Sequence, residues 1–293
     1  MRRLACLLAL LATAGCGATP AHTAQEQVAV PPNAVLAPSN AATSPNVPAY
    51  VNNHFEPFTR VNAVAIALRE WRLFGQVVDD DPPGTHDVPD PERLDHQPGL
   101  WQRVGDYWFA GQDPGTQSAS WTGKYNDTGT PYRTGDYSHA WSAAFISYVM
   151  RMSGAGDRFL YSGNHADYVN AAVQGLYGLK AFPPEGEAPL PGDLICLGRG
   201  GRASRLTFAE LPAGRFPGHC DLVVAASTSS QGGQLTVVGG NVDAGVTTKH
   251  IPTAPDGRLA TPDGTVVDTR YPWLAVLRPA YDEAPALVSM LGR

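Results

Sequence analysis

Ser142 is the first candidate for chemistry, because a predicted helix over 138–154 places it in the first helical turn. Backbone N–H groups lack helical partners there, and the helix dipole favours developing negative charge. Enzymes use such positions for nucleophiles. A small residue at a helix start is also a common packing choice, so this helix alone leaves both interpretations open.

Three further ionisable side chains fall at positions where they could meet. His165 lies in the first turn of a second predicted helix, which runs to about Gly175. His219 and Asp221 are two residues apart on a predicted strand, so their side chains face the same side. One hypothesis is that these three form a metal or acid/base site and that Ser142 is incidental.

Two of the four cysteines, Cys196 and Cys220, lie on predicted strands that follow each other in the chain. A disulfide between them is feasible in an oxidising compartment. Because Cys220 follows His219 directly, it is also a candidate thiol nucleophile. Strand alternation points these two side chains to opposite faces, which favours structural cysteines. A zinc site needs more thiol or imidazole ligands than this spacing offers, so we expect no metal and no cofactor.

The composition argues against nucleic acid as a partner. The 293 residues carry a net charge of −6, and no run of Lys or Arg occurs. The 31 glycines and 26 prolines predict long loops and frequent turns.

The N-terminus resembles a signal for export from the cytoplasm. A short basic start and an apolar run lead to small residues before Cys16, as in a bacterial lipoprotein signal peptide over 1–16. Thr13 stands where Leu is usual in such signals. Cleavage near Ala18 or Ala21, which would give a soluble periplasmic protein, is the alternative. The apolar run is too short to span a bilayer.

The stretch 17–55 is rich in Ala, Pro, Asn, Ser and Thr and has no apolar period, so it predicts a tether between an anchor and a folded body. Lipidation of Cys16 would then hold the protein in the periplasm, and Gly17 fits sorting to the outer membrane. A poorly ordered extension without that role predicts the same composition.

Helical spacing of apolar residues predicts two helices before the one that carries Ser142, over 58–76 and 99–109. The acidic, Pro-rich stretch 78–97 predicts a surface loop. A second loop, 111–137, is long and polar and contains four aromatic residues. Such loops are often functional, although the aromatic residues more often anchor a loop to its own core.

Five strands are predicted in the second half of the chain. They cover 194–197, 219–225, 234–239, 246–251 and 273–278. Helices followed by an antiparallel meander predict one α+β domain over 56–293.

Four segments together resemble the papain-like superfamily of cell-wall amidases and peptidases that includes the CHAP and NlpC-type domains. They are WSAAFISYV from Trp141, PGDL from Pro191, GHCDLV from Gly218 and GGN from Gly239. The fuller similarity covers 58–279 and resembles a branch of that superfamily known as a domain of unknown function, in which Ser usually occupies the nucleophile position.

The resemblance implies a papain-like fold with N-terminal helices on an antiparallel sheet, and a role for each matching residue. Ser142 takes the place of the nucleophile, His219 that of the base and Asn241 that of the group orienting the base. Asp221 faces the same side as His219 and could supply the orienting charge. The substrate-binding residues that the resemblance implies are Trp141, His165 and Asp193.

The resemblance therefore implies a cell-envelope amidase or peptidase that acts on amide bonds of peptidoglycan stem peptides. Its partners would be peptidoglycan or its peptides and, through the lipid anchor, a membrane. The superfamily's nucleophile is a thiol, and a serine hydroxyl needs concerted proton removal to replace it. An inactive papain-like module that binds wall or a partner protein is the alternative.

Overall fold

A computed structural model describes residues 58–86, 88–89, 92–112 and 139–280. Within these ranges the chain forms four α-helices and an open six-stranded antiparallel sheet, so the α+β prediction is confirmed at that level. The helices are α1 (Arg60–Leu73), α2 (Leu100–Ala110), α3 (Ser142–Met152) and α4 (His165–Val173). The strands are β1 (Leu179–Phe182), β2 (Leu194–Gly198), β3 (Gly218–Ser229), β4 (Gly232–Val242), β5 (Gly245–Thr253) and β6 (Trp273–Pro279).

Local signals explain where two of the helices start. The Thr59 side chain accepts a hydrogen bond from the Asn62 N–H at 3.0 Å, which caps α1. The Asn164 side chain caps α4 in the same way through the Ala166 N–H, at 2.9 Å. The helix α3 has no side-chain cap. Every residue from Ser142 to Met150 is buried, so packing on all sides holds this central helix in place.

The sheet has the strand order β1-β6-β2-β3-β4-β5, and each neighbouring pair is antiparallel. Strand alternation gives it two buried faces. One face packs with the helices into the larger core, which includes Leu194 and Val238. The other face carries a second apolar cluster, which includes Ile195, Val237 and Tyr271.

The sequence missed β1 and misjudged part of the stretch 78–97. β1 has only four residues, too few for a visible alternation. Within 78–97, Val78 forms an isolated β-bridge with Thr248 of β5, and Asp95 is buried in a short 3-10 helix. The Asp95 carboxylate accepts a hydrogen bond from Trp141 Nε1 at 3.2 Å. Part of the expected surface loop is therefore packed against the rest of the domain.

No helix in the described ranges is long and apolar enough to cross a membrane. The predicted signal peptide with Cys16, the tether 17–55 and nearly all of the loop 111–137 lie outside the described residues.

Candidate active site

Ser142 is the first residue of α3, and its hydroxyl is already engaged by an imidazole. Its Oγ lies 2.7 Å from Nε2 of His165, which is the first residue of α4. The N-termini of two helices therefore meet at this contact. Both side chains are 4% exposed, so bulk water competes little for the hydrogen bond.

His165 is held on its other side by an aromatic residue of its own helix. The hydroxyl of Tyr168, one helical turn later, contacts His165 Nδ1. Burial, and then the neighbouring His219, lower the pKa of His165 well below 6.5, so its imidazole is neutral. A neutral imidazole has one donor and one acceptor nitrogen. When Nδ1 donates to Tyr168, Nε2 can accept the proton of Ser142, which is the arrangement a general base needs. We call Ser142, His165 and Tyr168 the serine cluster.

A second group of polar side chains is buried on strands β3 and β5. His219 Nε2 lies 2.9 Å from Oδ1 of Asp221, and Lys249 Nζ lies 2.6 Å from the other carboxylate oxygen. Burial opposes ionisation of Asp221, yet Lys249 and then His219 hold the pKa of its carboxyl group well below the usual range. Asp221 is therefore a carboxylate. We call His219, Asp221 and Lys249 the aspartate cluster.

The charge on Asp221 determines which ring nitrogen of His219 carries the proton. A carboxylate only accepts hydrogen bonds, so His219 must donate from Nε2. Burial lowers the pKa of His219, which keeps the ring neutral and leaves a lone pair on Nδ1. That nitrogen is buried and has no hydrogen-bond partner in the described structure. His219 therefore presents an unpaired acceptor whose direction is fixed by Asp221.

The two clusters touch through their histidines. The rings of His165 and His219 lie 5.4 Å apart between centroids. In the sheet, Asp221 pairs with Ile195 and Lys249 pairs with Val237, so both charged residues project from the face of the second apolar cluster. The serine cluster comes from helices on the opposite side, and the contact forms where β3 begins.

The fold leaves room for the aspartate cluster at a glycine of β4. A Cβ on Gly239 would lie 2.0 Å from Oδ1 of Asp221 and 3.0 Å from Nε2 of His219. No larger residue fits this position without displacing the carboxylate. This glycine belongs to the GGN segment, so the segment matters for the space it leaves as well as for Asn241.

A cavity of about 600 Å³ opens beside the aspartate cluster. His219 and Lys249 contribute to its wall, but Ser142 does not. Asn241 also lines it from a bulge at the end of β4, with a positive φ of 57°. Further lining residues are Asp79, Arg199, Asp243, Arg270 and Tyr271.

Two of the expected pairings are not made among the described residues. In the described structure Ser142 makes no hydrogen bond to His219, because α3 and α4 bring it to His165 and Asp221 takes Nε2 of His219. Asn241 does not orient His219 either. It stands in the cavity wall with His219, while Asp221 makes the orienting contact. The alternative role of Asp221 agrees with this geometry.

Two residues assigned to substrate binding are part of the protein's framework. Trp141 is buried in the helical core and donates to Asp95. Asp193 is fully buried, and its carboxylate oxygens bind Arg60 at 2.5 Å and Arg278 at 3.0 Å. The Gly-Asp turn before β2 thus links α1 and the end of β6 to the start of β2. His165, the third such residue, belongs to the serine cluster.

Cys196 and Cys220 form a disulfide between β2 and β3, where they are directly opposite each other. Because His219 is the preceding residue, it projects to the other face, as strand alternation requires. Cys220 is therefore not a free thiol.

Sequence reasoning missed Tyr168 and Lys249. The first could have been found from its position three residues after His165 on a helix. The second is a lysine in the middle of an otherwise uncharged strand pattern, at a position where burial requires an anionic partner.

One group of side chains at the cavity rim has metal-ligating types. Asp79, Asp81 and His86 each place one ligand atom within 4.8 Å of the others. Asp81 and His86 are exposed and already bound to each other at 2.7 Å. The donor set has no buried partner and does not by itself indicate a metal.

Residues 95–279, more than half of the chain, match the profile of a protein family described as "Uncharacterized protein conserved in bacteria (DUF2272)". The matched range includes both clusters and all six strands. No match was found among curated proteins or among solved structures.

Proposed function

The chain belongs to the DUF2272 family, and we propose that it is a cell-envelope hydrolase that cuts amide bonds in peptidoglycan stem peptides. The observation that carries the proposal is the 2.7 Å contact between Ser142 Oγ and His165 Nε2 at the N-terminus of α3. Ser142 is the nucleophile and His165 its base. A papain-like arrangement is part of the proposal, supported by a nucleophile at a helix start beside an antiparallel sheet with a histidine and a carboxylate.

In the acylation step the Ser142 oxygen attacks the amide carbonyl, and its proton passes to Nε2 of His165. The C–N bond then breaks, and the leaving amine takes the proton from the imidazolium. Free N–H groups in the first turn of α3 stabilise the negative charge on the carbonyl oxygen. Tyr168 accepts from Nδ1 and holds the productive tautomer, which makes it a positioning residue.

In the deacylation step His219 supplies the second base. Its unpaired Nδ1 accepts a proton from a water molecule that enters with the substrate, and this water attacks the acyl carbon. The Ser142 oxygen leaves and takes the proton that His219 accepted from the water, and the product is a carboxylic acid. Asp221 stabilises the transient imidazolium of His219, while Lys249 keeps Asp221 ionised.

The N-terminal features support a periplasmic setting for this chemistry. A lipid on Cys16 would anchor the chain to the outer membrane, and the tether 17–55 would let the body reach the wall.

A second candidate function keeps the fold without the chemistry, as a module that binds wall peptides or a partner. It is favoured by the position of the cavity, whose wall contains His219 but not Ser142. It is also favoured by the 4% exposure of Ser142, which leaves little surface for attack.

Incubation of the full chain with purified peptidoglycan separates the two candidates. For a hydrolase, mass spectrometry of the released fragments shows new amine and carboxyl termini. Ser142→Ala and His165→Asn each reduce the rate by about 10³-fold or more, as expected for members of a nucleophile–base pair. In His219→Asn the acyl-enzyme accumulates on Ser142, since only its second step is impaired.

Ser147→Ala is the matched control, because Ser147 is a buried serine of the same helix that bonds to Ser162 instead. This variant should keep the parental rate. If parent and variants bind peptidoglycan equally and none cleaves it, the binding module is the better description. If only Ser142→Cys cleaves, the parent is a degenerate enzyme.

A further inference from the structure

The cavity beside His219 has walls of opposite charge. Asp79 and Asp243 contribute carboxyl groups to its wall, and Arg199 contributes a guanidinium. The other two cations of the wall already have anionic partners. Lys249 binds Asp221, and the guanidinium of Arg270 binds Asp268 at 2.8 Å.

The two carboxyl groups lack a cation. Asp79 and Asp243 are half-buried, and both line the cavity. Partial burial, and then the charge of Asp79, raise the pKa of Asp243. Within the described residues neither carboxyl group forms an ion pair, so a bound cation would relieve their repulsion.

Both acidic residues are held in place by the backbone. Asp79 follows the bridge between Val78 and Thr248, and its N–H donates to the Thr248 carbonyl oxygen at 2.9 Å. Asp243 lies in the tight β4–β5 turn with a positive φ of 46°, between Asn241 at 57° and Ala244 at 60°. Positive φ at both Asp243 and Ala244 is the geometry that a two-residue hairpin turn requires, so the turn holds Asp243 in one position.

Arg199 supplies a positive charge to the same cavity wall. It lies just after β2, and its backbone N–H donates to the Pro217 carbonyl oxygen at 2.8 Å, which fixes the chain there. Its side chain is exposed and has no hydrogen bond or ion pair among the described residues. An unpaired guanidinium on a cavity wall is suited to a carboxylate, which it can bind in a bidentate manner.

The residues of the cavity wall also include one with a buried, unpaired acceptor. Nδ1 of His219 is unpartnered, its side chain is nearly buried, and the residue lines the same cavity. A peptide N–H would satisfy it. The cavity therefore offers acceptors for an ammonium group, an acceptor for an amide N–H and a donor pair for a carboxylate.

We propose that this cavity binds a short peptide segment that carries a free ammonium group and a free carboxylate, with the ammonium at Asp79 and Asp243 and the carboxylate at Arg199. The inference rests on the proposed function for its ligand class and adds which groups the peptide must expose. The volume of about 600 Å³ fits a ligand of two to three residues.

The test measures binding alone, so it does not depend on turnover. The full chain with Ser142→Ala is titrated calorimetrically with trialanine, with N-acetyl-trialanine and with trialanine amide. Blocking either terminus should weaken binding by about tenfold, the effect of one partly buried ion pair. Asp243→Asn should abolish the penalty for acetylation but keep the penalty for amidation. Arg199→Gln should do the reverse.

Asp81→Asn and Arg202→Gln are matched controls. Each neutralises an exposed charge near the mutated position that does not line the cavity, and each should retain both penalties. Equal affinity for the three peptides, or an acetylation penalty that survives Asp243→Asn, would overturn the inference. So would zinc chloride that binds the chain and displaces trialanine, since it would assign the carboxyl groups and His86 to a metal.

The outcome is distinguishable from failure of the proposed function. Charge-dependent peptide binding without any cleavage of peptidoglycan by the parent would support this inference and refute the hydrolase. Cleavage with no charge dependence of peptide binding would do the opposite.

Discussion

The serine cluster and the aspartate cluster meet at two histidines, yet they are built on different principles. The serine cluster is neutral and comes from the N-termini of two helices, α3 and α4. The aspartate cluster contains a buried ion pair and comes from two strands, β3 and β5. The first suits proton transfer because its imidazole stays unprotonated, and the second suits orientation because its charges lock a tautomer.

A third buried network shows what distinguishes a candidate active site from a structural ion-pair network. Glu70 is fully buried and bound by Arg69 and Arg103, and it also accepts from the Tyr107 hydroxyl at 2.7 Å. Its carboxylate, like that of Asp221, is buried beside cations. The difference is that the aspartate cluster adjoins a cavity and leaves one nitrogen unpaired. Buried charge alone therefore does not indicate chemistry, whereas buried charge that fixes an open acceptor does.

The largest predicted effect is on the aspartate cluster. Lys249→Met leaves the Asp221 carboxylate buried with only a neutral histidine, and we expect it to lower the free energy of unfolding by about 3–5 kcal/mol. Urea denaturation measures the loss. The double variant Asp221→Asn with Lys249→Met should recover most of it, because no uncompensated charge remains. Equal losses in single and double variants would mean that Lys249 contributes through packing.

The next effect tests the space that Gly239 leaves. Gly239→Ala forces its Cβ against the Asp221 carboxylate, and we expect a loss of about 1–3 kcal/mol in urea unfolding together with slower deacylation. Gly233→Ala is the matched control on the same strand, where the added Cβ would lie 2.5 Å from the carbonyl oxygen of Ser227. Both variants lose stability, but only the first should change the peptidoglycan cleavage rate. If Gly239→Ala cleaved peptidoglycan at the parental rate, the aspartate cluster would have no role in catalysis.

A smaller effect is expected in the serine cluster. Tyr168→Phe removes the partner of His165 Nδ1 and should cost about 1 kcal/mol of stability, the value of one buried hydrogen bond. It should also lower kcat more than it changes KM, since the productive tautomer is no longer favoured. Tyr161→Phe, which loses a bond to the Gly156 carbonyl oxygen, is the stability control. Equal kinetics in the two variants would remove the positioning role.

The sequence predicted helices and strands better than it predicted which residues contact each other. The two capped helices, α1 and α4, are recognisable because Thr59 and Asn164 are typical N-cap residues before apolar periodicity. The five longer strands were predicted from alternation and turns. Their registers were not, and register is what places Cys196 opposite Cys220 and Lys249 against Asp221.

The candidate active site was located in part because its residues lie at positions that the local sequence pattern predicts. Ser142 and His165 were both predicted at helix starts, and His219 and Asp221 on one face of a strand. The contact between Ser142 and His165 depends on how two helices are oriented, and nothing local in the sequence encodes that. For Asp193, the two arginines that bind it lie more than 80 residues away in the chain, so its framework role could be seen only after folding.

The last prediction concerns pH, and it is the most gradual effect. His165 and His219 have pKa values below the ordinary 6.5, chiefly because of burial, whereas both titrate normally when unfolded. As pH falls below 6.5 the unfolded chain binds more protons than the native chain, so the free energy of unfolding decreases. Asp221, whose pKa is lowered, contributes stability above its unfolded pKa of 3.8 and loses it only in stronger acid. Urea unfolding at pH 7.5, 6 and 5 measures the slope. His165→Gln should flatten it, whereas His86→Gln should steepen it, because Asp81 raises the pKa of that exposed histidine. A protein that became more stable between pH 7.5 and 5 would contradict neutral histidines in both clusters and with them the base assigned to Ser142.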